Sequence, residues 1–534
     1  MPFKVGALIL SVVLASAAFP PWEWSVGGWL FLVPLILVGR LSGRIIWLFG
    51  VAGFLTWLAT IGWVHHVTWP GTIVLCAYLG TYWMVWGWLW QWLCRDIKVW
   101  SSWKNLTIAF WAATGWVALD FVRSNLFSGF PWNKIGVSQY DHLPLVQLAS
   151  LGGVDLISWL MIFVNAILAL SSIRLFREIR RKQKVKSHWD FSVTAVLIGI
   201  SLIWGTRQVI RPPAPAEPLE VVMVQGNVPQ YEKFTSEWEA KIIGRYVRYT
   251  QLAAAQSPDL IVWPETATGS TFFRDITFTS EIQSLIKQAD YSLLVGALDY
   301  EEENYYNAAF LLNAQQGDYQ IYRKQHLVPF GEFLPGRRWM PWLENWIPIP
   351  MDYYPGEGPG ISTWQKQQRQ IPLGILICFE DVMAYLGRQR ANEGARLLVN
   401  LTNDGWFKDS SAAWQHAINA LFRCVETGLP MIRSANTGVS CVIDAQGRMT
   451  HMLTNERGKK IEVEGFLRAI VPVPSEPRPT IFLRGGYFFP LFCFIITGIF
   501  LAYEFYRFRR VGRAAGALRA AQEVSLTSQP PKPD

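Results

Sequence analysis

Three short segments of the chain deliver groups capable of covalent chemistry. DLIVWPE (259–265) ends on Glu265, YQIYRKQHLVPFGE (319–332) carries Lys324 and Glu332, and GILICFED (374–381) carries Cys378, Phe379, Glu380 and Asp381. A thiol is a weak nucleophile until it loses its proton, and a nearby carboxylate can take that proton as general base. Glu265 is the candidate base, with Pro264 fixing the backbone that aims it. Attack on an acyl carbon creates an oxyanion, which a lysine and a backbone N–H can stabilise. Lys324 and the N–H of Phe379 are the candidate donors. The three groups are 59 and 54 residues apart in sequence, so only the fold can bring them together. The two acids after Cys378 oppose thiolate formation, and Lys324 is the cation in these segments that can offset one of them.

The elements needed to position these groups are legible nearby. EVVMVQGN (220–227), DLIVWPE, YSLLVGALD (291–299), GILICFED and ARLLVNLTND (395–404) read as short β-rich runs that end in polar residues. SEWEAKIIGRYVRYTQLAAAQ (236–256) and SAAWQHAINALFRCVETG (411–428) read as helices, and 307–325 as a hairpin turning at Gln316–Asp318. Alternating strands and helices predict a layered α/β domain over 218–473. In such sheets, functional groups gather at the carboxyl ends of strands, which is where these residues stand.

The rest of the chain has a different grammar. Of its 534 residues, 51% are hydrophobic and only 16% charged, well under the quarter usual for globular domains. Twenty-eight tryptophans point the same way, because Trp concentrates at membrane interfaces. Long apolar stretches lie at about 5–20, 25–39, 45–64, 72–94, 106–122, 145–173, 191–206 and 486–506. The sequence therefore predicts seven membrane helices within 1–206, an inserted α/β domain at 218–473, a last span at 486–506, and a disordered cytoplasmic tail at 514–534. The first span has a competing reading as a cleavable signal peptide, with retention the expectation. The basic runs RLFREIRRKQKVK (174–186) and RFRRVGR (507–513) each follow an apolar segment and act as topology signals. With both on the cytoplasmic side, both termini are cytoplasmic and the α/β domain faces the opposite compartment. No nucleic-acid recognition motif accompanies the net charge of +8. The six cysteines follow no paired or zinc-binding spacing, and the odd number within the α/β segment implies a free thiol there. No metal or cofactor is expected.

The succession VWPE, RKQHLVPFGEFLP, GILICFED and NLTNDGWF resembles the nitrilase (carbon–nitrogen hydrolase) superfamily. That resemblance implies an αββα sandwich with Glu265 as general base, Lys324 as oxyanion stabiliser and Cys378 as nucleophile. Together with the spans, FPPWEW (19–24), SGFPWNKIGVSQ (128–139) and VQGNVPQ (224–230) make the whole chain similar to the bacterial apolipoprotein N-acyltransferases. Membership would imply an inner-membrane enzyme whose catalytic domain is periplasmic. Its cysteine would take an acyl chain from a phospholipid, phosphatidylethanolamine by resemblance, as a thioester, and pass it to the N-terminal amine of diacylglyceryl apolipoproteins. Glu332 and Glu380 match supporting acids of that family. Two positions depart from its pattern: Phe379 stands where tyrosine is frequent, and Phe234 where tryptophan is frequent, so neither a hydroxyl nor an indole N–H is available there. The aromatic loop 339–355, with Trp339, Trp342, Trp346, Tyr353 and Tyr354, reads as a lid that dips into lipid, against the plainer reading of a packed connection. A membrane-tethered amidase, with water as acceptor, and a scaffold with an inactive domain are the competing functions.

Overall fold

The structure, a computed structural model, describes residues 2–42, 46–95, 100–182, 184, 186–230, 232–233, 236–287, 289–313, 319–339, 342 and 352–527. Among the described residues, six helices are long and apolar enough to cross a membrane: Ile46–His66, Trp69–Leu93, Ser102–Ser128, Val154–Arg180, Trp189–Val209 and Gly486–Arg510. The first two stretches of the eight predicted form shorter helices instead, Pro2–Ala17 and Ser25–Gly39. The segment between them explains the break, since Pro20 and Pro21 supply no N–H donor and Glu23 is polar. The stretch at 145–173 is displaced as well. Its long helix starts only after Gly153, at a φ of +71°, and runs on into the basic segment as far as Arg180. At the other end the helix Phe489–Thr527 continues through most of 514–534, where the composition predicts a disordered tail. Alanine, leucine, arginine, glutamine and glutamate in that stretch are strong helix formers.

The α/β domain begins with β1 (Ala216–Gln225), followed by α1 (Ser236–Ala254), β2 (Leu260–Val262), α2 (Ile276–Ile286) and β3 (Ser292–Glu301). The hairpin of β4 (Asn304–Leu312) and β5 (Tyr319–Arg323) is present, with Leu312 opposite Tyr319. Its predicted turn, 316–318, lies outside the described residues. Then come β6 (Ile361–Lys366), β7 (Arg369–Ile377), α3 (Ala384–Asn392), β8 (Leu397–Thr402), α4 (Ala412–Thr427) and β9 (Met431–Ala435). β10 (Cys441–Ile443), β11 (Met449–Met452) and β12 (Gly465–Pro474) complete the fold. Two six-stranded sheets result, ordered β12-β1-β2-β3-β4-β5 and β11-β10-β9-β8-β7-β6.

Alternation along the strands builds the layers. Leu219, Val221 and Met223 of β1 face the core between the sheets, where they meet Ile375, Ile377 and Val399, among others. Val222 and Val224 point the other way, onto Ile242, Tyr246 and Ile282 of the outer helices α1 and α2. Each such side chain contributes roughly 1.5–3 kcal/mol on burial. The second sheet turns its outer face to α3 and α4, and that core runs without a break into the helix bundle through Leu398, Leu421, Val146 and Met161.

One polar residue bolts the two parts together. Gln415 of α4 accepts hydrogen bonds at Oε1 from the indole N–H of Trp63 (3.2 Å), that of Trp132 (3.0 Å) and the Asn133 amide (3.0 Å). Its amide donates to the carbonyls of Thr60 (2.9 Å) and Pro20 (3.2 Å). The α/β domain is thereby fixed in register on three separate segments of the bundle.

Candidate active site

Cys378 follows β7 directly and sits at a φ of +53°, a left-handed conformation that costs energy for any residue with a Cβ. Such strain concentrates at functional turns, and here Thr266 (+39°) and Phe330 (+62°), next to Glu265 and near Glu332, share it. The Cys378 carbonyl accepts a hydrogen bond from Asn400 of β8 (3.1 Å). The chain then winds into a short helical turn, Cys378–Val382, whose first N–H groups, Phe379's included, have no acceptor within the turn. The thiol lies where opposing influences meet. Burial pushes its pKa well above the ordinary value, and the Glu265 carboxylate adds to that; Lys324 and the Thr402 hydroxyl oppose. Cys378 therefore rests as a thiol, and any nucleophilic role would require it to give up its proton.

Lys324 continues the β4–β5 ladder, with its N–H bonded to the Asn307 carbonyl (2.8 Å). Its buried ammonium donates to Glu332 at 2.9 Å and approaches Glu265 at 3.4 Å. The Asn307 amide joins both carboxylates, at 2.7 Å to Glu265 and 2.9 Å to Glu332. Glu332 also accepts from the N–H of Val328 (2.8 Å). Burial alone would lower the lysine's pKa, but Glu332, Glu265 and Cys378 outweigh it and hold the ammonium well above its usual value. Glu265, Lys324, Glu332 and Cys378, predicted as one cluster, are thus brought together.

Among the described residues Lys324 forms no ion pair with Glu380 or Asp381, although its charge still acts on Glu380, and both acids are held by other partners. Glu380 reaches back to accept from the N–H groups of Gln325 (2.7 Å), His326 (2.9 Å) and Ile377 (2.8 Å), and from the Tyr322 hydroxyl (2.8 Å). It pins the cysteine turn to the segment bearing Lys324. Burial raises its pKa, against the pull of those N–H groups, Lys324 and Arg390. Asp381 pairs with His416 (2.8 Å) and Arg433 (3.5 Å), which also hold Asp404 at 2.7 and 3.2 Å. On the described part of the aromatic loop, Trp339, Trp342 and Tyr354 are exposed and Tyr353 half-buried. Phe234 and Trp346 lie outside the described residues.

The site abuts the helix bundle. The Phe379 ring stacks on Trp132 (6.0 Å between centroids, 9° between planes) and near Phe130 (6.4 Å). Trp132 in turn packs on His416 (5.2 Å). The turn that carries Cys378 therefore rests on the segment 130–132 that follows the Ser102–Ser128 helix.

Comparison with known proteins bears on both halves. The model of the apolipoprotein N-acyltransferase N-terminal domain matches residues 11–167, and that of the carbon–nitrogen hydrolases matches 221–462. An apolipoprotein N-acyltransferase of Geobacter metallireducens is 30% identical over 462 residues, covering 83% of this chain and 86% of that one. The chain belongs to the apolipoprotein N-acyltransferase family. The member from Photobacterium profundum is 28% identical over 95% of this chain and 97% of its own. That from Methylococcus capsulatus is 37% identical over 62% of this chain and 63% of its own. A solved carbon–nitrogen hydrolase from Helicobacter pylori G27 is 17% identical, with a TM-score of 0.36 over 48% of this chain and 89% of that one.

Within this family frame, several residues of the site escaped the sequence reading. Asn307, which ties the two carboxylates, is one amide within a strand, and nothing local marks it. Asp404, His416 and Arg433 come from three elements and meet only in the fold. Lys233 had the best signal, since it directly precedes Phe234 in the VQGNVPQYEKF stretch. Gly296 is a fourth. A Cβ there would lie 2.2 Å from the Pro264 carbonyl oxygen and 2.8 Å from the Glu265 Cα. Gly296→Ala is expected to displace Glu265 by a large fraction of an ångström and to slow acylation of Cys378 about 100-fold, with stopped-time thioester assays as the check.

Proposed function

We propose that this chain is an N-acyltransferase that carries an acyl group from a phospholipid to a lipoprotein amine through a thioester on Cys378. In the first half-reaction Glu265 takes the thiol proton as the sulfur attacks the ester carbon. Lys324 and the Phe379 N–H receive the oxyanion, and the proton passes to the departing lysophospholipid oxygen. In the second, the amine of an N-terminal diacylglyceryl-cysteine attacks the thioester and the thiolate leaves. Glu332 fixes Lys324, and Glu380 holds the cysteine turn.

One observation carries the reading: the turn bearing Cys378 is packed through Phe379 onto Trp132 and Phe130 of the helix bundle. A site so placed suits substrates that stay in the bilayer, with phosphatidylethanolamine as donor by family likeness. Exposed Trp339, Trp342 and Tyr354 support lipid contact by the aromatic loop. Basic segments at 174–186 and 507–513 favour an inner-membrane orientation with both termini cytoplasmic and the catalytic domain periplasmic. Counting the two short helices, 2–17 and 25–39, as a crossing pair or as none leaves that parity unchanged.

The test uses the purified protein in detergent with phosphatidylethanolamine and a diacylglyceryl-cysteine peptide. N-acylated peptide and lysophospholipid are expected in equal amounts, and neither with Cys378→Ala. Release of free fatty acid with an unmodified peptide would instead assign a hydrolase.

A further inference from the structure

The reaction just proposed has a proton balance that one carboxylate cannot meet. An N-terminal amine arrives chiefly as an ammonium, with a pKa near 7.7–8.0 in free peptides. It must lose one proton before its lone pair can attack the thioester carbon. As the C–N bond forms and the C–S bond breaks, the sulfur takes the bonding electrons. A second N–H proton then returns to the thiolate through Glu265. The products are an amide and a thiol, so one proton per turnover is left over. Glu265 carries the second of these protons, and Lys324 is already charged and held by two carboxylates. The first proton needs another acceptor.

The site contains one. Lys233 lies on the loop after β1, and its side chain is 2% exposed. Its Nζ makes one hydrogen bond among the described residues, to the Glu265 carbonyl at 3.3 Å. A fully charged ammonium buried with a single neutral partner is costly, so the position favours the neutral amine, whose lone pair can accept a proton. The charge that bears on it is the Glu265 carboxylate, just beyond β2; Cys378, at the end of β7, adds one only as a thiolate. Lys324 pairs with Glu265 and Glu332, and Asp404 acts on Cys378 from the loop after β8. Burial is the largest influence and, against the upward pull of Glu265 and of a Cys378 thiolate, leaves the lysine at about 7. A base at that value is matched to an α-ammonium at neutral pH.

We propose that Lys233 is the second proton acceptor of the site, taking the surplus proton of the incoming ammonium in the half-reaction that consumes the thioester. This rests on the reading of Cys378 as the acyl carrier. The proton passes to water once the amide has left, which restores the neutral amine.

The proposal separates the two half-reactions. Lys233→Met replaces a buried amine with an apolar side chain of similar length, and it is expected to slow thioester formation from phosphatidylethanolamine far less than it slows transfer. Transfer from the isolated acyl-enzyme to a diacylglyceryl-cysteine peptide should fall about 100-fold at pH 7. That deficit should shrink as pH rises to 9, where the peptide amine is deprotonated in solution. Lys233→Arg places a permanent charge there and cannot accept a proton, so it should be as slow as the methionine variant, whereas Lys233→His should recover part of the rate. Transfer at wild-type rate in Lys233→Met, equal slowing of both half-reactions, or full rescue by arginine would each overturn the proposal. If Lys233→Met is not recovered folded, the arginine and histidine variants decide between the same outcomes. Recovery of the arginine variant alone, at wild-type transfer rate, would also overturn it. A wild-type protein that forms no thioester would instead defeat the reading of Cys378.

Discussion

Lys324→Met is expected to leave a folded protein whose Cys378 acylation is slowed at least about 1,000-fold. Two losses combine. The oxyanion loses its charged donor, and the two carboxylates lose the cation that lets both ionise side by side. Glu265 and Glu332 share the Asn307 amide at 2.7 and 2.9 Å. Without Lys324 they form a like-charge pair, and one must hold a proton at neutral pH. If that is Glu265, the general base is gone as well. The fold should survive, because Val328 and Asn307 still hold Glu332 and the inter-sheet core is untouched. Single-turnover thioester formation, read beside a thermal melt, checks this. Acylation at the wild-type rate would remove Lys324 from the mechanism.

The second large effect concerns the charge network beneath the cysteine turn. Asp381, Asp404, His416 and Arg433 are all buried and mutually paired, with His416 bonded to both acids and Arg433 to both in turn. Arg433→Leu strands two carboxylates on one imidazolium and is expected to cost about 3–5 kcal/mol of stability. His416 makes the same network sensitive to pH. Burial would lower its pKa, but Asp381 and Asp404 more than reverse this and raise it to about 9. A histidine raised on folding stabilises fully below its unfolded value of about 6.5, and that contribution is lost as pH rises through the folded value. The wild-type protein should therefore lose on the order of 3 kcal/mol between about pH 6.5 and 9.5. His416→Gln should flatten that part of the profile, as thermal melts across the range would report. Because His416 also packs on Trp132, melting of this network should loosen the turn carrying Cys378 from the helix bundle.

The reactive residues were legible because each ends an apolar run, at the point where a strand stops and its side chains are free to do chemistry. Glu265, Lys324 and Cys378 announce themselves in this way, and so does the free thiol. What joins them was hidden. Asn307 and Gln415 are single amides on a strand and a helix, and their importance comes from partners far along the chain. The five strands named from sequence are all present, but β6 and β9 to β12 were not anticipated. β9, β10 and β11 have only 5, 3 and 4 residues, too short for alternation to show. β12 carries Pro472 and Pro474, which argue against a strand unless it lies at a sheet edge, where it does lie. The membrane count differs for a similar reason. Hydropathy sees apolar length, whereas Pro20 and Pro21 end a helix whatever the hydropathy of its neighbours.

The most direct test of the account is the intact mass of the protein after brief incubation with phosphatidylethanolamine of one defined acyl chain, with no peptide acceptor. The expected result is a single adduct with the mass of that acyl group, removed by neutral hydroxylamine, mapped by proteolysis to Cys378 and absent from Cys378→Ala. Peptide N-acylation at normal rate by Cys378→Ala, or an adduct on any other residue, would contradict it.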